Sequence, residues 1–417
     1  MKKQIKDIKI RMDLYPRFEV DNRKVQEYSE NIDKLPPILI NQDNILIDGL
    51  HRLRGHEKAE ETEIEVIVEK TASESELYLR AIETNATHGL QLNGEEKAEL
   101  AAKFYGQFDE KRICKVLSIS HGTYNKYTVN ARKAKEKELK RKIQELYLKC
   151  KTQQEITNIL QKLKFEVSQK TISNKIVEFS KKVISDNFTK NGALHGFSPE
   201  LYNLWNVKKI KNEMNHFGNV PVEFTENLLY YYTEPFDIVY DPFAGGGATI
   251  DICKKWFRKY FVCDRKPIKG REDIIKFDIK DGLPKDLPTN IKLVFLDPPY
   301  WKQAEGMYSK DKEDLANMPL DKFYNGIMDF MKDVKKKLAK DGKIALIIQG
   351  SQWKNNLILE DHAFEIAKMM DKLGFKIQQR IICPYSTEQY NAQQVIKAKE
   401  KKICLQTYRD LIVFDFK

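Results

Sequence analysis

From about residue 200 to the end of the chain, seven apolar runs alternate with helical stretches, and this alternation constrains the fold more than any other feature. The runs are FDIVYD, KYFVCD, EDIIKFDI, IKLVFLDPPY, GKIALIIQG, FKIQQRIICP and RDLIVFDF. Strands spaced by helices predict an α/β domain built on a doubly wound, largely parallel sheet. Ligands of such sheets lie beyond the carboxyl ends of the strands. Asp241, Asp264, Asp278 and Asp297 each close an apolar run, so four carboxylates are expected on that rim.

The fourth run ends abruptly in Asp297-Pro298-Pro299-Tyr300. Two prolines remove two backbone donors and fix φ, so the chain can neither continue as a central strand nor enter a helix directly. Residues before prolines are held extended, which leaves Asp297 and Tyr300 on a stiff ledge. The first run leads into Asp241-Pro242-Phe243-Ala244-Gly245-Gly246-Gly247. Glycines without Cβ atoms let the backbone approach a ligand closely. The pattern is neither a dinucleotide GxGxxG nor a phosphate-binding loop with Gly-Lys-Ser/Thr. Asp264, ending the second run, can accept from both hydroxyls of a ribose. Together these features suggest an adenosine ligand without a pyrophosphate. S-adenosylmethionine fits, since its cationic groups favour an acidic pocket containing Asp241.

DPFAGGG followed by DPPY about 50 residues later resembles the amino-methylating DNA methyltransferases, which act on adenine N6 or cytosine N4. The likeness extends over about 200 residues and includes the helix preceding the first motif, NHFGNVPVEFTENLLYYYTEPFD. It implies a Rossmann-like S-adenosylmethionine-dependent domain over residues 198–417. Asp241, Phe243, Ala244, Gly245 and Gly247 would then contact the cofactor, Asp264 its ribose and Asp278 its adenine edge. Asp297, Pro298, Pro299 and Tyr300 would be catalytic. An exocyclic amine is a poor nucleophile because its lone pair is conjugated into the ring. Asp297 and the Pro298 carbonyl could accept both N–H groups and restore sp³ character, while Tyr300 stacks on a base turned out of the duplex. Trp301 either extends that platform or packs. Asp in the first position leans toward adenine N6. Cytosine N4, an RNA base, or a regulator with an inactive methyltransferase domain are the alternatives. Carbon-5 cytosine chemistry is excluded, because it needs a Pro-Cys nucleophile and the chain has only Cys383-Pro384, the reverse order. Metal catalysis has no support: His195, His216 and His362 are isolated.

Residues 1–70 read as a small α/β unit. Strands are expected at Ile5–Ile10, Ile38–Ile40, Ile45–Ile47 and Glu63–Val68, with a helix over Arg23–Leu35. A glycine opening a basic helix in DGLHRLRGHEKA offers a seat for an anion. The order of these pieces resembles the N-terminal domain of the ParB partition family. YPRFE stands where that family has Asn-Pro-Arg, and LIDGLHRLRGHE where it has Gly-Glu-Arg-Arg. The resemblance implies a nucleotide or phosphate pocket near Gly49, His51 and Arg52. Leu50 replaces the family's acidic residue, a departure that bears on nucleotide hydrolysis.

Residues 71–190 read as helical, with two helix-turn-helix candidates. In the first, Leu117–Gly122 makes the turn and Thr123–Asn130 the second helix, with Tyr124, Asn125, Lys126 and Tyr127 outward. In the second, a helix containing Ile156, Ile159, Leu160 and Leu163 precedes one over Gln169–Ile176. Such second helices enter the major groove, so Thr123, Tyr124, Asn125, Lys126, Lys170 and Lys175 are expected to contact DNA. Charge supports this. Between Glu110 and Lys182 there are 19 Lys/Arg against 7 Asp/Glu, a net of +12 in a chain whose total is +11. A basic block flanked by nearly neutral sequence fits a polyanion such as double-stranded DNA. Sequence selection would fall to this block, to the 302–320 loop or to residues 386–402.

The six cysteines show no CxxC pair, as expected of reduced cytoplasmic thiols. No apolar stretch suits a membrane span or a signal peptide. The expected partner is therefore DNA and no membrane, with a homodimer left open.

Overall fold

The computed structural model describes residues 1–14, 20–86, 92–207, 220–302, 306, 311–352, 358–384 and 390–416. Contacts divide the chain into two units, Met1–Leu139 and Lys140–Lys417. YPRFE (15–19) and His216 lie outside the described residues, as do parts of the 302–320 and 386–402 segments.

The first unit comprises β1 (Lys2–Gln4), α1 (Asn22–Ser29), β2 (Ile38–Asn41), β3 (Leu46–Asp48), α2 (Leu50–Lys58), β4 (Glu63–Glu69), α3 (Glu74–Ala86), α4 (Gly94–Phe104), α5 (Glu110–Leu117) and α6 (His121–Tyr127). The long helix α7 (Val129–Leu148) crosses into the second unit. The sheet has the order β1-β4-β2-β3, with only the β2–β4 pair parallel. Strand alternation in β4 buries Ile64 and Val66 on Ile38, Ile40, Leu46 and Leu53. Ile5–Ile10 is not a strand. Residues 2–4 pair with 63–65 instead, and Ile5–Asp7 form a single 3₁₀ turn. Helix α1 stops at Ser29, short of Leu35. Its start is fixed by Asp21, which accepts from the backbone of Arg23 and Lys24, and a separate 3₁₀ turn at Ile32–Lys34 leads into Pro36-Pro37. Helices α3 to α6 enclose Leu79, Ile82, Leu100, Phe104, Ile113 and Leu117.

The second unit continues with α8 (Gln153–Lys162), α9 (Gln169–Asn187), α10 (Val222–Tyr232), β5 (Ile238–Asp241), α11 (Ala248–Lys255), β6 (Lys259–Asp264), β7 (Ile275–Lys276), β8 (Ile291–Leu296), α12 (Leu320–Lys335), β9 (Leu338–Ile348), α13 (His362–Lys372), β10 (Phe375–Pro384), α14 (Ala392–Lys401) and β11 (Tyr408–Phe416). Its seven strands run in the order β10-β11-β9-β8-β5-β6-β7. The strands from β9 to β7 are parallel, and β11 and β10 close the sheet antiparallel. Both faces of the inner strands are covered, which explains their unbroken apolar runs, while the edge strands β7 and β10 are largely exposed. Val239, Leu293, Phe295, Ala345, Ile347, Leu411 and Val413 point into one layer; Tyr240, Val294, Leu296, Ile344, Leu346, Ile412 and Phe414 point into the other.

The first layer is completed from before residue 190. Leu148 of α7, Val183 of α9 and Phe188 belong to the same core as Trp256 and Val239. Phe179 of α9 meets Phe236 and Phe257 edge-on, and the Cys150 thiol reaches the Tyr260 carbonyl at 3.5 Å. The second helix pair is thus part of the wall around the large sheet. Among the described residues no helix is long and apolar enough to cross a membrane.

Candidate active site

Strand order reverses around β5: the chain passes from β5 to β6 on one side and reaches β8 on the other. At that switch point the loops after β5, β6 and β8 part and leave a crevice. A cavity of about 400 Å³ opens there. Asp241, Phe243, Ala244, Gly245, Asp264, Asp278, Asp297 and Pro299 line it, together with Thr225 of α10, Phe277 and Ile279.

The carboxylates do two jobs, and the first is to build the loops. Asp241 Oδ1 accepts from the Phe243 backbone at 2.8 Å and Oδ2 from the Thr249 hydroxyl at 2.6 Å, which ties the glycine turn to α11. Asp264 Oδ2 accepts from the Gly245 backbone at 2.9 Å and Oδ1 from that of Lys266 at 2.7 Å. Gly245 has φ +51° and Gly247 φ +83°. Gly247 caps α11, and a Cβ there would lie 2.7 Å from the Arg271 guanidinium. Gly247 therefore shapes the turn from behind and is not among the residues lining the cavity. Asp278 accepts from Arg265 Nε at 3.0 Å, and Arg265 also pairs with Asp311 and Asp314.

Their second effect is electrostatic. Burial is the main reason the Asp241 carboxyl is pushed up to about 7, and the charges of Asp297 and Asp264 add to it. Burial also pushes Asp297 up to about 6, although its side chain is open on the cavity side. Arg409 of β11 and the Tyr300 hydroxyl oppose that rise. Tyr300 donates to Asp297 Oδ1 at 3.0 Å, and the Arg409 guanidinium lies 6.0 Å from the Tyr300 ring centre. Pro298 is buried while Pro299 lines the cavity. Trp301 packs: it is 5% exposed and its indole N–H donates to the Met318 carbonyl at 2.8 Å.

Arg265, Thr249 and Arg409 were not singled out by motif, because each lies apart in sequence from the group it serves. Thr249 alone left a signal, eight residues after Asp241 on the next helix.

The residues expected to meet DNA are placed unevenly. Helix α6 starts at His121, with Ser120 accepting from the Thr123 backbone. This is two residues earlier than the sequence suggested. Tyr124 is 2% exposed within the α3–α6 core, and Tyr127 packs against the same core, so neither faces outward; four consecutive helical residues cannot share one face. Thr123 meets the Ser120 hydroxyl at 2.9 Å, Asn125 bonds to His121 and Arg132, and Lys126 is exposed. On α9, Lys170 is exposed and Lys175 borders a cleft of about 130 Å³ with Lys140, Gln144 and Lys182.

In the first unit, Gly49 has φ +103°, and a Cβ there would lie 2.7 Å from Ile38. Arg52 Nη2 donates to Asp48 at 2.8 Å, while Nη1 donates to the carbonyls of Pro36 and Pro37 and holds the Pro-Pro turn to α2. His51 Nε2 accepts from the Asp21 backbone at 3.0 Å.

A family model described as DNA methylase matches residues 72–269 and 291–410. No curated protein matches the chain. Among solved structures, similarity is found to the chromosome-partitioning protein ParB of Caulobacter crescentus complexed to the centromeric parS site, at 17% identity and TM-score 0.25, covering 31% of this chain and 70% of that one. TrmN of Thermus thermophilus matches at 14% identity and TM-score 0.31, covering 48% of this chain and only 50% of that one. A Burkholderia thailandensis 1,6-didemethyltoxoflavin-N1-methyltransferase with bound S-adenosylhomocysteine matches at 11% identity and TM-score 0.28, covering 44% and 72%.

Proposed function

Because the chain belongs to the N6/N4 DNA methylase family, we propose that it transfers a methyl group from S-adenosylmethionine to the exocyclic amine of a flipped base in double-stranded DNA, adenine N6. The observation that carries this reading is the half-buried Asp297 carboxyl, which opens on the same cavity as Asp241, Gly245 and Asp264.

The cavity fits the cofactor. Its floor gathers carboxylates whose ionisation burial opposes, so a cationic ligand relieves the cost. Asp264 suits ribose hydroxyls, Phe277, Asp278 and Ile279 an adenine ring, and Asp241 with the Phe243–Gly245 turn the cationic end. When bound, the sulfonium supplies a methyl group activated for transfer.

The chain's own residues prepare the amine. Ionised Asp297 accepts one N–H and the Pro298 carbonyl the other, which draws the nitrogen lone pair out of conjugation. Pro299 denies the ledge rotational freedom. The Tyr300 hydroxyl orients the Asp297 carboxylate, and its ring offers a face on which an extruded base can stack. Arg409 keeps Asp297 charged against burial.

Residues 1–70, 71–190 and 198–417 serve on this reading as a ParB-like module with a nucleotide- or phosphate-binding role near Gly49 and His51, a DNA-binding region, and the catalytic domain. Lys126 and Lys170 are exposed and suited to phosphates. Incubation with labelled S-adenosylmethionine and unmethylated duplex DNA, followed by nucleoside analysis, tests the proposal. Label in N6-methyladenine supports it, label in N4-methylcytosine changes the base, and no label in DNA overturns it.

A further inference from the structure

The segment from Asp311 to Met318, which leads from the Asp-Pro-Pro-Tyr ledge toward α12, has no part in the transfer chemistry, yet it touches both sites. Glu313, Asp314, Leu315 and Met318 line the cavity along with Phe277, Asp278 and Ile279. From the same segment, the Met318 carbonyl accepts from the Trp301 indole N–H at 2.8 Å, and the Ala316 carbonyl from the Lys302 backbone at 3.1 Å. Ala316 is 1% exposed and Trp301 is 5% exposed. These two contacts fasten the segment to the residues directly after Tyr300.

The segment is knotted internally and tied down by one cation. Asp314 Oδ1 accepts from the Ala316 backbone at 3.1 Å, and the Asp314 carbonyl accepts from the backbones of Asn317 and Met318. The Asn317 amide donates back to the Asp311 carbonyl at 2.6 Å. Arg265, the residue after Asp264, engages all three guanidinium nitrogens. Its Nε lies 3.0 Å from Asp278 Oδ2 and its Nη1 3.4 Å from Asp314 Oδ2, while Nη2 pairs with Asp311. A planar fork can face three carboxylates at once, whereas an ammonium is a point charge. The Asp314 side chain is only 8% exposed, so without Arg265 a nearly buried carboxylate would share its site with two others. Lys280 and Glu313 form a second pair at 2.5 Å, but both are well exposed and contribute little.

We infer that Arg265 is a positioning residue for both halves of the transfer: it clasps the Asp311–Met318 segment to the wall of the cofactor cavity, and the clasped segment sets the Asp297–Trp301 ledge. The order follows from the contacts. Arg265 fixes Asp314, the turn built on Asp314 fixes the Ala316 and Met318 carbonyls, and these hold Lys302 and Trp301. Trp301 follows Tyr300 in the chain, and the Tyr300 hydroxyl donates to Asp297. A displaced Trp301 therefore moves the group that orients the catalytic carboxylate. On the cofactor side, loss of the clasp frees Leu315 and Met318 from the cavity wall and leaves Asp278 without its guanidinium partner. The effect on rate rests on the methyltransferase reading proposed above; the clasp itself does not.

The test uses the full chain and the variants Arg265→Gln, Arg265→Lys, Asp314→Asn and Trp301→Phe. Calorimetry with S-adenosylhomocysteine reads cofactor affinity, and single-turnover transfer at saturating S-adenosylmethionine reads the ledge. NMR of the Trp301 indole N–H, assigned with Trp301→Phe, reads the segment with no substrate present. The clasp predicts that Arg265→Gln weakens affinity and slows saturated transfer, each about tenfold, and speeds hydrogen exchange at the Trp301 indole. Arg265→Lys should resemble Arg265→Gln, since it restores the charge without the fork. Asp314→Asn should give the same pattern in milder form, because its amide carbonyl can keep the turn, and it decides the matter where Arg265→Gln does not fold. Added to Trp301→Phe, Arg265→Gln should slow transfer by less than it does alone, since both act through one segment. An Arg265→Lys protein equal to wild type would overturn the inference, as would additive effects of Arg265→Gln and Trp301→Phe. So would a Trp301 resonance and exchange rate unchanged in both Arg265→Gln and Asp314→Asn. Should no base be methylated, the Trp301 indole still decides, so failure of the clasp and failure of the methyltransferase reading remain distinguishable.

Discussion

At the scale of single residues, the site depends on where charge is tolerated. Asp297 works only as a carboxylate, and its carboxyl is raised to about 6. A raised acid is protonated below that value, so kcat should climb with pH through about 6 and then level off. Arg409→Gln removes the charge that opposes burial and should move this acid limb to higher pH, while Arg409→Lys restores it; a pH–rate profile under single-turnover conditions checks both. Asp241, raised to about 7, must be ionised to accept a cation. Affinity for S-adenosylmethionine should therefore rise with pH through about 7, and binding near neutrality should release a proton. Calorimetry in buffers of different ionisation enthalpy measures that release directly. The four carboxylates singled out in the sequence line one cavity: Asp241 and Asp264 end β5 and β6, Asp297 directly follows β8, and Asp278 lies two residues past β7. No motif marked Arg409 or the contacts of His362, which bonds to Tyr324, 38 residues before it, and to Ser351, 11 residues before it. A histidine isolated in sequence is, in the fold, the centre of a buried network.

At the scale of elements, the apolar runs of the inner strands were readable because both their faces are covered, so neither face dilutes the run with polar residues. Short elements were less readable. β1 has three residues, too few for period-two alternation to show, and the third run contains a strand of only two residues, β7. Helix α6 starts two residues before the expected Thr123, and Tyr124 faces the core, since four consecutive helical residues cannot all lie on the outer face. The glycine turn is the element where backbone conformation matters most. Gly247→Ala puts a Cβ on a left-handed residue and against Arg271, and should cost about 1–2 kcal/mol. Thermal unfolding would register this as a lowered Tm, together with weaker cofactor binding, because the turn carries Gly245.

At the scale of the whole molecule, charge composition pointed to a polyanion partner, but composition is blind to packing. The helices before residue 190 looked like one region by charge. Leu148, Val183 and Phe188 nevertheless belong to the core of the large sheet, and removing residues 1–190 would strip that core. Substitutions in the full chain are the better probe of DNA contact. Replacing Lys126 and Lys170 together by Ala should make the slope of log K against log salt shallower by about two, with little change in cofactor affinity. Fluorescence anisotropy at several salt concentrations gives the slope, and an unchanged slope would remove both lysines from the DNA interface.

The central claim is that Asp297 prepares an adenine amine for methyl transfer within the cavity at the β5–β8 switch point. Single-turnover transfer of tritiated methyl to unmethylated duplex DNA, wild type against Asp297→Asn with cofactor binding measured in both, tests it most directly. The mechanism predicts label in N6-methyladenine and a rate lowered roughly 10²–10³-fold in the variant at unchanged cofactor affinity. A variant that methylates at the wild-type rate would contradict it.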